Sequence, residues 1–368
     1  MLKAIRPILI FIIFLLGNFP FISTATLSFE DAAYPELASS GRALAMGNAF
    51  ISKVDDSMAV VYNPAGLGTV RRAKLHLTNM HLEFNKEWIN VGTSGSAISN
   101  ISNIFSLDGI RKILLENKGK LIHSRFSFLP NFTMRHFSLG YLLSKQNKAT
   151  IGTESGAKFE LADRLDYGPY VSLNIPFIGG IFKVGLTGIL LNRKEKIADV
   201  DANTTIDFKS SDYNQGSALI LDGGAKLTLP FIMLPTISAV VHNSLDTKFE
   251  ADSGTSPTKI ERTVSLGFSL TPNIGKRTRM HIEINYKDLT SQYSGVADKR
   301  KINFGMEFSF YRIVFLRLGY GDGYGSFGFG IKTKNLEFDL TSYAVDTTSN
   351  EFRGAEDRRF SLSISSGF

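Results

Sequence analysis

From about residue 72 to the C-terminus, apolar side chains recur at every second position, a period that places them all on one face of an extended strand. The clearest run sets Met280, Ile282, Ile284 and Tyr286 against Arg279, His281, Glu283, Asn285 and Lys287. The next sets Ile302, Phe304, Met306, Phe308 and Phe310 against Lys301, Asn303, Gly305, Glu307 and Ser309. Val314, Leu316, Leu318 and Tyr320 continue the pattern, as do Phe327, Phe329 and Ile331, then Leu336, Phe338 and Leu340, and finally Phe360, Leu362, Ile364 and Phe368. Weaker copies precede them at Val171–Phe177, Phe182–Leu186, Ala225–Phe231 and Val264–Leu270, with turn formers such as Gly179-Gly180 and Asp322-Gly323 between.

A soluble sandwich also alternates. Here the apolar face is Phe, Ile, Leu and Tyr while the opposite face carries Arg, Lys, Glu and Asp on strand after strand, which suits lipid outside and a wet or plugged lumen inside. Closure into a ring also lets many strands follow one another without helices and leaves no free edge. The expectation is an all-β, transmembrane antiparallel β-barrel. About fifteen candidate strands, with the even numbers of single-chain bacterial barrels, give about 14 strands, with twelve and sixteen as alternatives. Long connections are expected near 91–120, 195–213, 246–258, 288–299 and 345–357.

Composition agrees. With 43% hydrophobic and 20% charged residues, the chain lacks the repeated apolar stretches of about 20 residues that a helical membrane protein needs. One such stretch stands at the N-terminus. Lys3 and Arg6 precede an apolar core from Ile8 to Ile22, and Ser23 and Ala25 supply small residues for cleavage after Ala25. Residues 1–25 therefore read as a signal peptide, an uncleaved anchor being the alternative, and the mature chain is expected in the outer membrane of a Gram-negative bacterium. Zero cysteines exclude disulfides, thiolate metal sites and a cysteine nucleophile. The formal charge of +7 is interspersed along strands rather than gathered into a patch, so no nucleic-acid partner is expected.

Two segments depart from strand patterning. Ile101, Ile104, Phe105, Ile110, Ile113 and Leu114 approach helical spacing, with Ser106 and Asp108 placed to cap, so a short helical loop is expected near 101–117. Residues 26–70 are rich in small residues and turn formers. Asn63-Pro64 fixes a turn, and the Asp55-Asp56 pair can accept backbone N–H groups or meet basic groups of the lumen wall.

Within that segment, Gly41-Arg42-Ala43-Leu44-Ala45-Met46-Gly47-Asn48-Ala49-Phe50, the pair Asp55-Asp56, and Tyr62-Asn63-Pro64-Ala65-Gly66-Leu67 resemble the N-terminal region of the FadL/TodX long-chain fatty-acid transporters and the related PorV/PorQ-type outer-membrane proteins. The resemblance implies an N-terminal plug (26–70) inside a fourteen-stranded barrel (71–368), with Gly47, Asp55, Asp56, Asn63, Pro64 and Ala65 in plug or gating roles. At the other end, Phe360, Leu362, Ile364 and Phe368 resemble the closing strand that the barrel-assembly machinery reads. Phe is common here, at 29 residues, so it is the shared phase of these four that adds weight. Ser366 departs from that pattern.

Lumen-lining positions expected from the alternation are Arg279, His281, Glu283, Lys301, Glu307 and Arg317. Mixed signs on neighbouring strands point to ion pairs across the wall and with the plug. No catalytic or metal constellation emerges. Gly323-x-Gly325-x-x-Gly328 sits at a hairpin with no helix after it, and the six histidines are scattered. The expected protein is not an enzyme and takes no cofactor. Its expected partners are outer-membrane lipid and a hydrophobic ligand, and its role is a FadL-like uptake channel. The alternative is a PorV-like, non-conducting platform or secretion-associated barrel.

Overall fold

The computed structural model describes residues 37–92 and 106–368. The signal peptide, the start of the plug segment and the start of the helical loop lie outside the described residues.

Fourteen strands form one closed antiparallel sheet in which each pairs with its neighbours in sequence. They are β1 (Lys74–Asn85), β2 (Leu121–Phe128 continued by Asn131–Met134), β3 (Phe137–Ile151), β4 (Lys158–Phe177), β5 (Phe182–Asp201), β6 (Asn214–Thr228) and β7 (Thr236–His242 continued by Glu250–Ser253). The others are β8 (Thr263–Leu270), β9 (Thr278–Tyr286), β10 (Ile302–Phe310), β11 (Val314–Gly321), β12 (Tyr324–Lys332), β13 (Leu336–Asp346) and β14 (Glu356–Gly367). β14 returns to β1, with Phe360 opposite Phe84 and Ser363 opposite His81, and this pairing closes the ring. Phe368 lies just beyond β14 and exchanges backbone hydrogen bonds with Leu75 at 3.1 and 3.2 Å.

β2 is broken at Leu129-Pro130, where proline offers no N–H to the ladder. The Pro130 carbonyl still accepts the Tyr141 N–H at 3.0 Å. A second irregularity lies in β4, where Gly168 and Pro169 have no ladder partners on β5 although Tyr167 and Tyr170 on either side do.

Burial is inverted relative to a soluble protein. Leu173, Ile175, Leu186, Leu316, Leu318, Phe327 and Leu340 are exposed, whereas His281, Glu283, Glu307 and Arg317 on the opposite face of their strands are buried. Charged groups are fully buried only when they are paired, and a continuous girdle of exposed large hydrophobic residues has no place in water. No described helix is long and apolar enough to cross a membrane. The strands meet in short turns at one end, including Arg135-His136, 178–181 and 311–313, and in long loops at the other.

β4 and β5 run 20 residues each, so 195–201 is strand rather than the loop expected from sequence. From Arg193 to Lys196 charged residues fall on both faces, and this hides the amphipathic signal. Leu229 and Phe231, read as strand, instead belong to the turn that follows Thr228.

Four short α-helices lie among the described residues: α1 (Gly41–Ala45), α2 (Ala59–Tyr62), α3 (Lys86–Gly92) and α4 (Leu107–Glu116). In α4, the Ser106 hydroxyl accepts the Gly109 N–H at 3.1 Å as N-cap. Its apolar face packs on Ile122, Ile151, Phe159 and Leu161 at the long-loop mouth, with Trp88 partly buried alongside. Asp108 is held down at about 2, first by its hydrogen bond to Lys112 and then by Arg111. A carboxyl depressed in the folded state stabilises above its unfolded value and loses that contribution as pH falls through about 2. Trp88 is the single tryptophan, so its fluorescence is expected to hold steady down to about pH 4 and to change below it. Asp108→Asn is expected to abolish that transition.

Candidate functional site

The lumen and the segment that fills it form the candidate site. Local sequence explains the compact path of Leu37–Val70. Gly47 and Asn48 both adopt positive φ, +61° and +64°, which reverses the chain after α1. Asn63 then caps a 3-10 helix, Pro64–Thr69: its side-chain oxygen accepts the Ala65 N–H at 3.0 Å and its amide donates to the Ile51 carbonyl at 2.9 Å. Gly47 has a second reason to be glycine, because a Cβ there would run into the backbone of Tyr320 on β11. The wall reciprocates at Gly185 on β5, where a side chain would strike the backbone of Pro64 and Ala65.

Polar groups of the wall take up the backbone of this inner segment. The Gly47 N–H donates to Ser326 Oγ at 2.9 Å, and the Gly47 carbonyl accepts from Asn303 Nδ2 at 2.7 Å. Thr341 Oγ1 donates to the Gly41 carbonyl at 2.8 Å, and Ser52 N–H donates to Glu283 Oε1 at 2.7 Å. Each bond satisfies a backbone group that burial has taken from water.

The electrostatic hub is Arg42. Its guanidinium forks onto Glu307 of β10 at 2.7 and 2.9 Å, and its remaining nitrogen donates to Asp55 at 2.7 Å and Asp56 at 2.9 Å. Glu307 is shared with Arg317 at 2.9 Å, and Arg317 continues to Asp339 at 2.5 Å. Lys53 lies 3.6 Å from Asp55 and 3.8 Å from Glu307. Planar, multidentate pairing of this kind suits arginine alone among the cations.

Of the residues expected from sequence, Gly47, Asn63, Pro64 and Ala65 lie buried in the inner segment, with Asp55 and Asp56 partly buried beside Arg42. The two aspartates take their hydrogen-bonded cation from the segment itself and not from the wall, because Arg42 on α1 lies nearer than any wall cation. Asp56 also accepts the Met58 N–H at 3.0 Å. His281, Glu283, Glu307 and Arg317 face the lumen and are buried. Lys301 is buried too, but it sits at the base of a mouth loop, bonded to Asp298 and Ser291 at 2.8 Å each. Arg279 is only half-buried, near the short-turn end of its strand. Phe360 is exposed on the outer face of the closing strand and Leu362 and Ile364 are half-buried; Phe368 is exposed at its end.

Two features escaped the sequence reading. His81 and His281 each bridge a hydroxyl and a carboxylate: Ser363 and Glu83 at 2.8 and 3.2 Å, Thr271 and Glu283 at 2.8 and 3.0 Å. A His-x-Glu spacing on a strand puts both groups on the inner face and was the available signal. Ser363 Oγ is also taken by the Gly41 N–H at 3.2 Å, so this trio braces the inner segment against the wall. The second feature is an apolar sector of lumen, where Leu142, Tyr170, Ile189, Leu191 and Ile220 join Phe50, Val61 and Tyr62. The unbroken run Ile189-Leu190-Leu191, apolar on both faces, was its mark in the sequence. Between this sector and the inner segment lies a cavity of about 50 Å³ lined by Leu37, Ile51, Val61, Ile220, Ile260 and Lys287, among others.

The same architecture occurs in solved structures. A mutant of the TodX monoaromatic hydrocarbon channel superimposes with a TM-score of 0.51 at 11% identity, covering 92% of this chain and 98% of that one. The CymD monoaromatic hydrocarbon channel gives 0.50 at 10% identity, covering 91% and 99%. The protein has the FadL/TodX-type outer-membrane barrel fold. A Pseudomonas aeruginosa FadL homologue also aligns, at 0.44 and 9% identity over 93% of this chain and 99% of that one. No family model and no curated protein matches the sequence. The likeness to the FadL/TodX-type barrel is one of backbone geometry, at 10% and 11% identity.

Proposed function

We propose that the protein is an outer-membrane channel for uptake of hydrophobic small molecules, gated by its inner segment. The observation that carries this reading is the apolar sector of the lumen beside a segment held by a few polar anchors. A lumen lined only with charges would offer an apolar solute no resting place. The two solved channels with which the chain shares its fold are monoaromatic hydrocarbon channels by name, and solutes of that size suit a narrow apolar passage.

The cavity of about 50 Å³ has room for a few waters and is too small for a hydrocarbon ligand. Passage therefore requires either a shift of the inner segment or parting of the wall where Gly168-Pro169 leaves β4 and β5 unpaired. The same filled lumen favours a second reading, a non-conducting platform that presents its mouth loops to a secreted partner.

Liposomes containing the mature protein are expected to accumulate toluene-like solutes faster than empty ones, with the detergent-extracted protein showing heat-modifiable migration. Intact barrels that give no acceleration would leave the platform reading. Migration independent of heating, in a protein that needs no detergent, would sink both. Removal of Phe368 is expected to lower the yield of assembled barrel in the membrane without changing uptake per assembled molecule.

A further inference from the structure

The short-turn rim is divided by chemistry into two sectors. Going round the ring, the turn before β9 carries Lys276 and Arg277, the next Arg312, the next Lys334, the entry to β1 Arg71 and Arg72, and the turn between β2 and β3 Arg135. All seven are exposed, no acidic residue occurs in these turns, and none of the seven makes an ion pair with a described residue. Arg312 sits in the uncompensated field of Arg71 and Arg279, which holds its guanidinium below the ordinary value. The two remaining turns, between β4 and β5 and between β6 and β7, hold no charge and expose Ile178, Phe231, Ile232, Met233 and Leu234. At the long-loop end, by contrast, many cations are answered: Lys112 by Asp108 at 2.9 Å, Lys120 by Glu87 at 3.2 Å and Lys259 by Asp246 at 2.9 Å.

Resting on the reading of this chain as an outer-membrane barrel with its short turns in the periplasm, we propose that the basic arc docks the anionic phospholipid head groups of the periplasmic leaflet. The cations follow the perimeter rather than forming a compact patch, and they stand just beyond exposed apolar residues of the wall, Leu75, Phe132, Ile274, Ile313 and Leu336. That level is where phosphates lie in a bilayer. Arg277 stacks on the ring of Tyr311 at 5.1 Å, an amphipathic pair of the kind enriched at the membrane–water boundary. Repelling cations held together without acids gain most from a shared counter-charge, and phosphodiesters arranged round the barrel supply one per turn.

The test uses the mature protein extracted in mild detergent and offered equal amounts of palmitoyl-oleoyl phosphatidylglycerol and phosphatidylcholine, with retained lipid measured by native mass spectrometry. Phosphatidylglycerol is expected to be retained preferentially. The combined variant Lys276→Glu, Arg277→Glu, Arg312→Glu and Lys334→Glu is expected to retain about tenfold less of it or lower. Reversing the exposed mouth lysines Lys118, Lys209 and Lys248 is expected to change nothing. Equal retention of the two lipids by the unaltered protein, or equal loss from both sets of variants, overturns the proposal, as does displacement of the lipid by inorganic phosphate at matched phosphate concentration. Heat-modifiable migration of every sample reports separately on the barrel, so a failure of that reading is distinguishable from a failure of lipid docking. If the quadruple variant does not assemble, the two-lipid comparison on the unaltered protein decides.

Discussion

Arg42→Met is expected to release the inner segment while the barrel stays closed. The substitution leaves Glu307, Asp55 and Asp56 gathered around a site with its central cation removed. Stranding buried charges in this way costs about 3–5 kcal/mol, and Lys53 at 3.6 and 3.8 Å, with Arg317 still 2.9 Å from Glu307, offsets only a part. The barrel strands do not depend on Arg42 for their pairing, so the cost falls on docking of the segment. Trypsin is expected to cut after Lys53 in the variant and not in the parent, with heat-modifiable migration retained, and conductance in planar bilayers is expected to rise. Continued protection of Lys53 would show that backbone hydrogen bonds and packing hold the segment without the charge network.

Gly47→Val tests the steric half of the same contact. Valine at φ +61° is strained by about 1–3 kcal/mol, and its side chain must also displace the Tyr320 backbone, an overpacking cost of about 1–3 kcal/mol more. The segment between Met46 and Asn48 is then expected to leave the wall, with loss of the hydrogen bonds to Ser326 and Asn303. Gly223→Ala, where an added methyl meets open space, is the matched control and is expected to change stability by less than about 0.5 kcal/mol. Equal tryptic sensitivity in both variants would mean that Gly47 is not a contact point of consequence.

The barrel was legible in the sequence because the bilayer enforces a period. Every lipid-facing residue of β9 to β12 must be apolar, and every inward neighbour is free to be charged, so Met280–Tyr286 and Ile302–Phe310 announce themselves. Strand number was legible only with help: about fifteen candidate segments give fourteen through the even count of single-chain bacterial barrels, and the structure has fourteen once Leu121–Phe128 and Asn131–Met134 are taken as one strand broken at Pro130. β4 and β5 extend past what the pattern marks because charged residues fall on both faces of their far halves, as at Asp163-Arg164 and Arg193–Lys196.

The site was legible in its parts and not in its pairing. Asp55 and Asp56 stood out as a pair, yet nothing local says that Arg42 closes over both, because that depends on how α1 folds back. Glu307 and Arg317 were visible as inward charges, and only the register between β10 and β11 places them opposite each other. The apolar lumen sector was hidden because Leu142, Ile189 and Ile220 belong to strands whose other face is apolar as well, and a run greasy on both sides carries no phase.

The Arg42–Glu307 contact joins residues 265 positions apart, and this fixes an order of events in the birth of the molecule. Residues 37–70 cannot reach their resting place until β10, far along the chain, has been made and set into the growing ring. Loop closure over such a span is slow and must await the strands that reward it. The stretch from Leu37 to Val70 must therefore wait with its acids and Arg42 satisfied by water and by one another. The charges that anchor the segment in the finished ring are thus the same ones that hydrate it until then.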